Sequence, residues 1–248
     1  MAGTSFIHGF HAITARLRLD AKSVHELYCD AARADPRMRD LVKLAESLKL
    51  RVLQVDTRRL DGMAPPGRHQ GVVARVDAVR LHVALDDLLD ELKEPPLLLV
   101  LDGVQDPHNL GALIRTAACS GVHGVLIPKD RAAHITPAVE KASAGAVETV
   151  PVVQVVNVAQ TIDELKKDGF WIYGAAGDSP TSVYEQDFSG NVAIVVGSEG
   201  EGIRPLVLKK CDVLFSIPLM GGVSSLNASV AGGVILFEIV RQRFFRTV

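Results

Sequence analysis

Leu97–Arg115 reads LLLVLDGVQDPHNLGALIR: an unbroken apolar run, a polar turn carrying glycine and proline, then a helical pattern. A short, continuously apolar segment closed by turn residues is the mark of a strand buried on both faces. The same alternation recurs downstream. Further strands are predicted at Val122–Ile127, Val150–Val153, Phe170–Ala175, Val192–Val196 and Val213–Ile217, with helical stretches between them. Apolar strands separated by helices predict an α/β fold whose parallel sheet is covered on both sides. Asn109, Thr136-Pro137 and Asn157 are the expected helix starts. The order of the strands is not readable from the pattern.

The segment upstream has a different grain. Val24–Cys29 and Arg51–Val55 are predicted strands, and Gly71–Val76 (GVVARV) closes the module after the turn-rich Ala64–Gly67. Between them, Met38, Leu41, Val42, Ala45 and Leu48 recur at helical spacing, which predicts a helix over Arg37–Leu50. Pro95-Pro96 stops any preceding helix. The expected organisation is an N-terminal module at 1–77, a linker at 78–94 and a larger domain at 95–248.

Composition narrows the class. Of 248 residues, 48% are hydrophobic and 23% charged, an ordinary balance for a globular protein. No apolar run approaches the roughly 18–20 residues of a membrane span, and the first twenty residues lack a signal-like apolar core. Three cysteines, with no CxxC pair, fit reduced thiols in a cytoplasmic protein. The net charge of −2 is unevenly spread: residues 1–80 hold 14 Lys and Arg against 9 Asp and Glu, the remainder 13 against 20. A basic first third on an acidic body suits either a nucleic-acid-facing module or a plain solvated surface.

Familiar nucleotide motifs are missing. Gly200-Glu201-Gly202 is followed by Ile203-Arg204-Pro205, so there is no GxGxxG fingerprint, and no P-loop occurs. His108, His123 and His134 lack metal-ligand spacing, and no metal is expected. What the chain does carry is a set of polar, glycine-bearing turns after buried strands. In the first, Asn109 and Arg115 pair an amide with a fixed cation, which suits a ribose–phosphate backbone or, as plain structure, a helix cap and a surface arginine. The second, Gly197–Gly202, exposes backbone N–H groups on both sides of Glu199. Pro218 leaves carbonyls beside it without strand partners, and GGVSSLNASVAGGVILFEIVRQR (Gly221–Arg243) sets serines and an asparagine at the mouth of a long apolar helix.

DPHNLGALIR (Asp106–Arg115), VGSEGEGIR (Val196–Arg204), IPL (Ile217–Leu219) and SSLNASVA (Ser224–Ala231) together resemble the three motifs of the SpoU/TrmH family, in family order. These are RNA ribose 2′-O-methyltransferases of the SPOUT superfamily. The N-terminal unit, with IHGFHAI at its start and HQGVVARV at its end, looks like the family's ribosomal-protein-like substrate-binding domain. The layout is most similar to members that methylate a guanosine in 23S ribosomal RNA.

The resemblance implies a deep trefoil knot at the end of the sheet domain, a homodimer, and S-adenosylmethionine held by backbone at Gly197, Ile217 and Leu226, with Leu219 nearby. It assigns catalytic roles to Asn109, Arg115, Glu199, Ser225 and Asn227. A ribose hydroxyl is a poor nucleophile until its proton is withdrawn, so catalysis needs in-line positioning and a local proton acceptor. Arginine stays protonated, so Arg115 suits a phosphate clamp and electrostatic stabiliser better than a literal base. Asn109 and Asn227 then orient the ribose, while Glu199 and Ser225 shape the junction of the motifs. Rival readings are a tRNA ribose methyltransferase, a resistance enzyme modifying another ribosomal nucleotide, and a non-catalytic RNA-binding or assembly factor. The final helix, with Val230, Val234, Ile235, Phe237, Ile239 and Val240, suits core or dimer interface equally.

Overall fold

A computed structural model describes residues 4–64, 69–77, 85–90, 92, 94–222 and 224–245. The chain forms two compact units, residues 1–80 and 81–248.

The first unit runs β1 (Thr4–His8), α1 (Phe10–Leu19), β2 (Val24–Asp30), α2 (Pro36–Ser47), β3 (Arg51–Val55), α3 (Thr57–Asp61) and β4 (Val72–Asp77). Its sheet has the order β1-β4-β2-β3, with β2 and β3 parallel and the other pairs antiparallel. Ile13 and Leu17 of α1 pack with Met38, Leu41 and Ala45 of α2 over Leu27, Ala74 and Val76 of the sheet. The helix expected at Arg37–Leu50 starts one residue earlier and stops at Ser47. Asp35 caps it by accepting from Arg37 N at 3.1 Å and Met38 N at 3.3 Å. Lys49, with φ of 59°, breaks it. β1 and α1 were not anticipated. Gly9 before α1 provides no side-chain cap, so that helix lacks a start signal.

The second unit continues with α4 (Leu85–Asp90), β5 (Leu97–Asp102), α5 (Pro107–Cys119), β6 (Gly124–Pro128), α6 (Pro137–Ala142), β7 (Val152–Val155), α7 (Val158–Lys167) and β8 (Trp171–Ala175). It ends with β9 (Val192–Gly197), α8 (Pro205–Leu208), β10 (Val213–Phe215) and α9 (Ala228–Phe244). The six strands are parallel, in the order β10-β8-β9-β5-β6-β7. Every residue of β5, β6 and β9 is buried. Alternate side chains feed two cores. Leu97, Leu99 and Leu101 join Leu113, Ile235 and Ile239 on the α5/α9 side, while Leu98 and Val100 join Ile162 and Leu165 of α7 on the other.

Several predicted edges move. β6 and β7 each begin two residues later than expected, and β10 stops at Phe215, after which Ser216 makes only an isolated bridge to Ser182. Asn109 does not start its helix. Asp106 is the cap, accepting from His108 N at 3.0 Å, because Pro107 takes the first helical position where no N–H is needed. Thr136 stands at a helix start without a side-chain cap bond, whereas Asn157 caps α7 through Ala159 N and Gln160 N. Within α9, Ile235 and Ile239 are core while Val230 and Phe237 are exposed.

Two features seat α9. A β-carbon at Gly232 would overlap the side chain of Leu113, so the glycine lets α9 lie close against α5. At the far end, Arg243 donates to the carbonyls of Pro95 at 2.8 Å, Phe188 at 3.0 Å and Gly190 at 2.7 Å. Burial pulls the Arg243 guanidinium below the usual arginine range.

Candidate active site

Parallel sheets place loops where a ligand can enter beyond the carboxyl ends of their strands. Here β5 and β9 are neighbours, with Asp102 opposite Gly197 at their ends. The loops that leave them therefore start side by side.

From β5 the chain turns at Gly103 and enters α5 through the Asp106 cap. Asn109 occupies the first turn of that helix and is buried, while Arg115 lies further along it and is exposed. From β9 the chain folds straight back on itself. Ser198 and Gly202 exchange two backbone hydrogen bonds of 3.0 Å. A β-carbon at Gly197 would overlap the Gly202 carbonyl and Ile203 N, so the loop closes only over glycine. Glu199 stands at its tip.

The third strand of the site is β10. Beyond it Ser216 N donates to Thr181 O at 2.8 Å, and Ile217 to Leu219 run on outside the sheet. Ser224–Asn227 then leads into α9. Asn227 caps that helix, its Oδ1 accepting from Ser229 N at 2.9 Å and Val230 N at 3.3 Å. Its Nδ2 is free to face the other way. It donates to Glu199 Oε1 at 2.9 Å and to Asn109 Oδ1 at 3.1 Å, and Asn109 Nδ2 also donates to Glu199 Oε1. One carboxylate oxygen thus gathers two amides from residues 90 and 28 positions away in the chain.

Beside this network opens a cavity of about 810 Å³. Gly197, Ile217, Leu219 and Leu226 all line it, as do Glu199, Ser225 and Asn227. Asn109 does not line it and reaches it through Glu199 and Asn227. Arg115 neither lines the cavity nor joins the network. Ala175, which ends β8, and Ala176 and Asp178 just past it form a wall that sequence reasoning missed. The only signal there was a strand end followed by small and polar residues, which is common to most such loops.

A second missed feature lies behind the cavity. Asp102 is completely buried and accepts from Arg204 N and Nε at 2.8 Å each, and from Nη2. The Asp102 carboxylate holds the Arg204 guanidinium above its ordinary range. An acid closing an otherwise apolar strand was the visible hint; its partner was not. Among the described residues no group of three His, Cys, Asp or Glu side chains is placed to hold a metal ion, and no helix is long and apolar enough to cross a membrane.

The geometry has counterparts in known proteins. Residues 96–237 match the SpoU rRNA Methylase family, and residues 6–82 match the family model for RNA 2′-O ribose methyltransferase substrate binding. The chain is 51% identical over 243 residues to 23S rRNA (guanosine-2′-O-)-methyltransferase RlmB of Ralstonia nicotianae, covering 98% of each chain. It is 48% identical to the protein of that name from Nitrosomonas europaea, covering 100% of this chain and 95% of that one. Among solved structures, it resembles the SpoU methyltransferase AviRb from Streptomyces viridochromogenes in complex with AdoMet. That likeness has a TM-score of 0.77 at 26% identity, over 97% of this chain and 91% of the other. The A. aeolicus TrmH/SpoU tRNA modifying enzyme matches 60% of this chain and 77% of its own, with a TM-score of 0.55 and 31% identity. The conjunction of sequence match, paired modules and strand-end cavity leaves one assignment: this chain belongs to the SpoU rRNA methylase family.

Proposed function

We propose that the chain is an S-adenosylmethionine-dependent methyltransferase acting on the ribose 2′-OH of a guanosine in 23S ribosomal RNA. One observation carries the reading. Segments at Asn109, Gly197–Gly202 and Ser224–Asn227, far apart in sequence, meet as a polar network beside a cavity of about 810 Å³. That volume is in the range of sites for nucleoside-sized ligands. The named activity of the relatives at 51% and 48% identity supports the substrate.

Gly197, Ile217, Leu219 and Leu226 would hold the cofactor, the glycine letting a ligand lie directly on backbone. When bound, S-adenosylmethionine supplies a methyl group already activated by its sulfonium. The remaining work belongs to the chain. Arg115, exposed and outside the network, would hold an RNA phosphate and offset charge developing on the 2′-oxygen, whose proton passes to that phosphate or to water as the methyl–sulfur bond breaks. Asn109 and Asn227 orient the ribose, Glu199 holds those two amides in register, and Ser225 shapes the rim. Residues 1–77 are read as the RNA-binding module, 78–94 as a linker and 95–248 as the catalytic domain; the family models at 6–82 and 96–237 support two modules, the first model running five residues into the linker. The same resemblance supports a ribosomal-protein-like first domain, a knotted end to the second and action in the cytoplasm. Val230, Phe237 and Phe244 are exposed on α9 at heptad spacing, which supports a homodimer.

Incubating the full chain with S-adenosylmethionine carrying a labelled methyl group, and with 23S rRNA or tRNA, tests the reading. Label on one guanosine 2′-oxygen of 23S rRNA is expected. Label on tRNA would replace the ribosomal substrate, and no transfer to either RNA would make this a binding module.

A further inference from the structure

Glu199 organises the polar network, yet its own loop contains three glycines and has an exposed tip. The Ser198–Gly202 backbone bonds close that loop on itself, but where the closed loop stands relative to the sheet depends on what fixes its two ends. The amino end is fixed by β9, where Gly197 lies in register with Asp102. The carboxyl end returns to the same place. Arg204 N donates to Asp102 Oδ2 at 2.8 Å, and the Arg204 guanidinium straddles Oδ1.

From this we infer that the Asp102–Arg204 pair is a positioning device for the methyl-transfer site, setting the height of the Gly197–Gly202 loop and so of Glu199. Asp102 is placed for the task from both sides. It ends the strand next to β9, and four residues later Asp106 caps the helix that carries Asn109. A single buried carboxylate thus holds the end of the loop beside the stretch of chain that leads, four residues on, into the helix carrying Asn109. Its burial makes the tie stiff, because leaving the carboxylate unpaired there would strand a charge away from water. The planar, forked guanidinium fixes direction as well as distance, which an ammonium cannot do. Neither residue touches the cavity, so both act through the loop.

The inference rests on the cofactor reading of the cavity, and the two fail in distinguishable ways. Calorimetric titration of the full-length parent with S-adenosylmethionine comes first; absence of binding there would refute the cofactor reading itself. The test of the pair compares Arg204→Lys, Arg204→Ala and Asp102→Asn with that parent. For each, cofactor Kd, kcat on 23S rRNA and amide hydrogen exchange are measured. Displacing an active-site group by about 1 Å costs roughly a hundredfold in rate. The expected result is therefore a fall in kcat of that order and a weaker Kd in Arg204→Lys. Faster exchange should be confined to residues 198–203, with β5 and β9 still protected. Parental Kd and kcat in any folded variant would overturn the inference. So would exchange that rises evenly through the sheet, since the pair would then be a support for the fold alone. Asp102→Asn preserves an acceptor for Arg204 N and keeps the test available if the arginine variants do not fold.

Discussion

Asn227 faces two ways: its Oδ1 caps α9 through Ser229 N and Val230 N, while its Nδ2 donates to Glu199 Oε1 at 2.9 Å. The two tasks separate on substitution. Asn227→Asp retains the cap acceptor but sets a second carboxylate against Glu199. Asn227→Ala loses both, at about 1 kcal/mol for the missing cap. Thermal unfolding should show the alanine variant less stable by several degrees, and methyl transfer should be lost in both. An aspartate variant with parental activity would refute the ribose-orienting role.

Arg115 is exposed on α5 and lies outside the cavity. Arg115→Ala should lower kcat by about 10²–10³, the scale of losing one preorganised stabilising group, while cofactor Kd stays within about twofold. Calorimetry showing an equal loss of cofactor affinity would end this division of labour.

Gly197 has no room for a side chain, since the returning loop lies against its Cα. Gly197→Ala must push Gly202 and Ile203 outward, at an overpacking cost of about 1–3 kcal/mol. Cofactor affinity should fall by about tenfold or more, with β9 itself intact by circular dichroism.

Burial pushes the Cys29 thiol up to about 11, and burial together with Asp212 and Asp102 pushes Cys211 up to about 12, against an ordinary value near 9. The folded protein keeps these protons where the unfolded chain gives them up. The resulting stability is therefore complete below pH 9 and is lost as pH rises toward 11–12. The melting temperature should fall across that window, and Cys211→Ala should flatten the fall. At neutral pH a thiol reagent should label the exposed Cys119 far faster than the other two.

Exposed Val230, Phe237 and Phe244 form the apolar stripe of α9. Phe237→Asp should convert a dimer into a monomer by light scattering at micromolar concentration. A parent of monomer mass would remove the dimer.

How much of this was legible follows from where each signal resides. Leu97–Leu101 announces a strand because burial on both faces needs an apolar residue at every position, and the structure buries all of them. Asn109 misled as a helix start because capping residues cluster: Asp106, Pro107 and Asn109 lie together, and only the geometry distinguishes the cap from the site residue. α1 lacked any side-chain cap to mark it. The Asp102–Arg204 pair was hidden for a deeper reason. Its partners are 102 positions apart and meet only because β5 lies beside β9, and strand order is a property of the whole packed sheet. The short motifs pointed to the site; sheet topology assembled it.

The grip of Arg243 on Pro95 spans 148 positions of chain, and this has a consequence for synthesis. Pro95 emerges from the ribosome near the beginning of the second unit, long before the residue that fastens it. Until α9 is made, the carbonyls of Pro95, Phe188 and Gly190 lack the Arg243 donor, and Leu113 has no Gly232 to press against. Asn227 is equally late, so Glu199 waits without one of its two amides. Maturation of the site is thus a closing event that waits until α9 has been made.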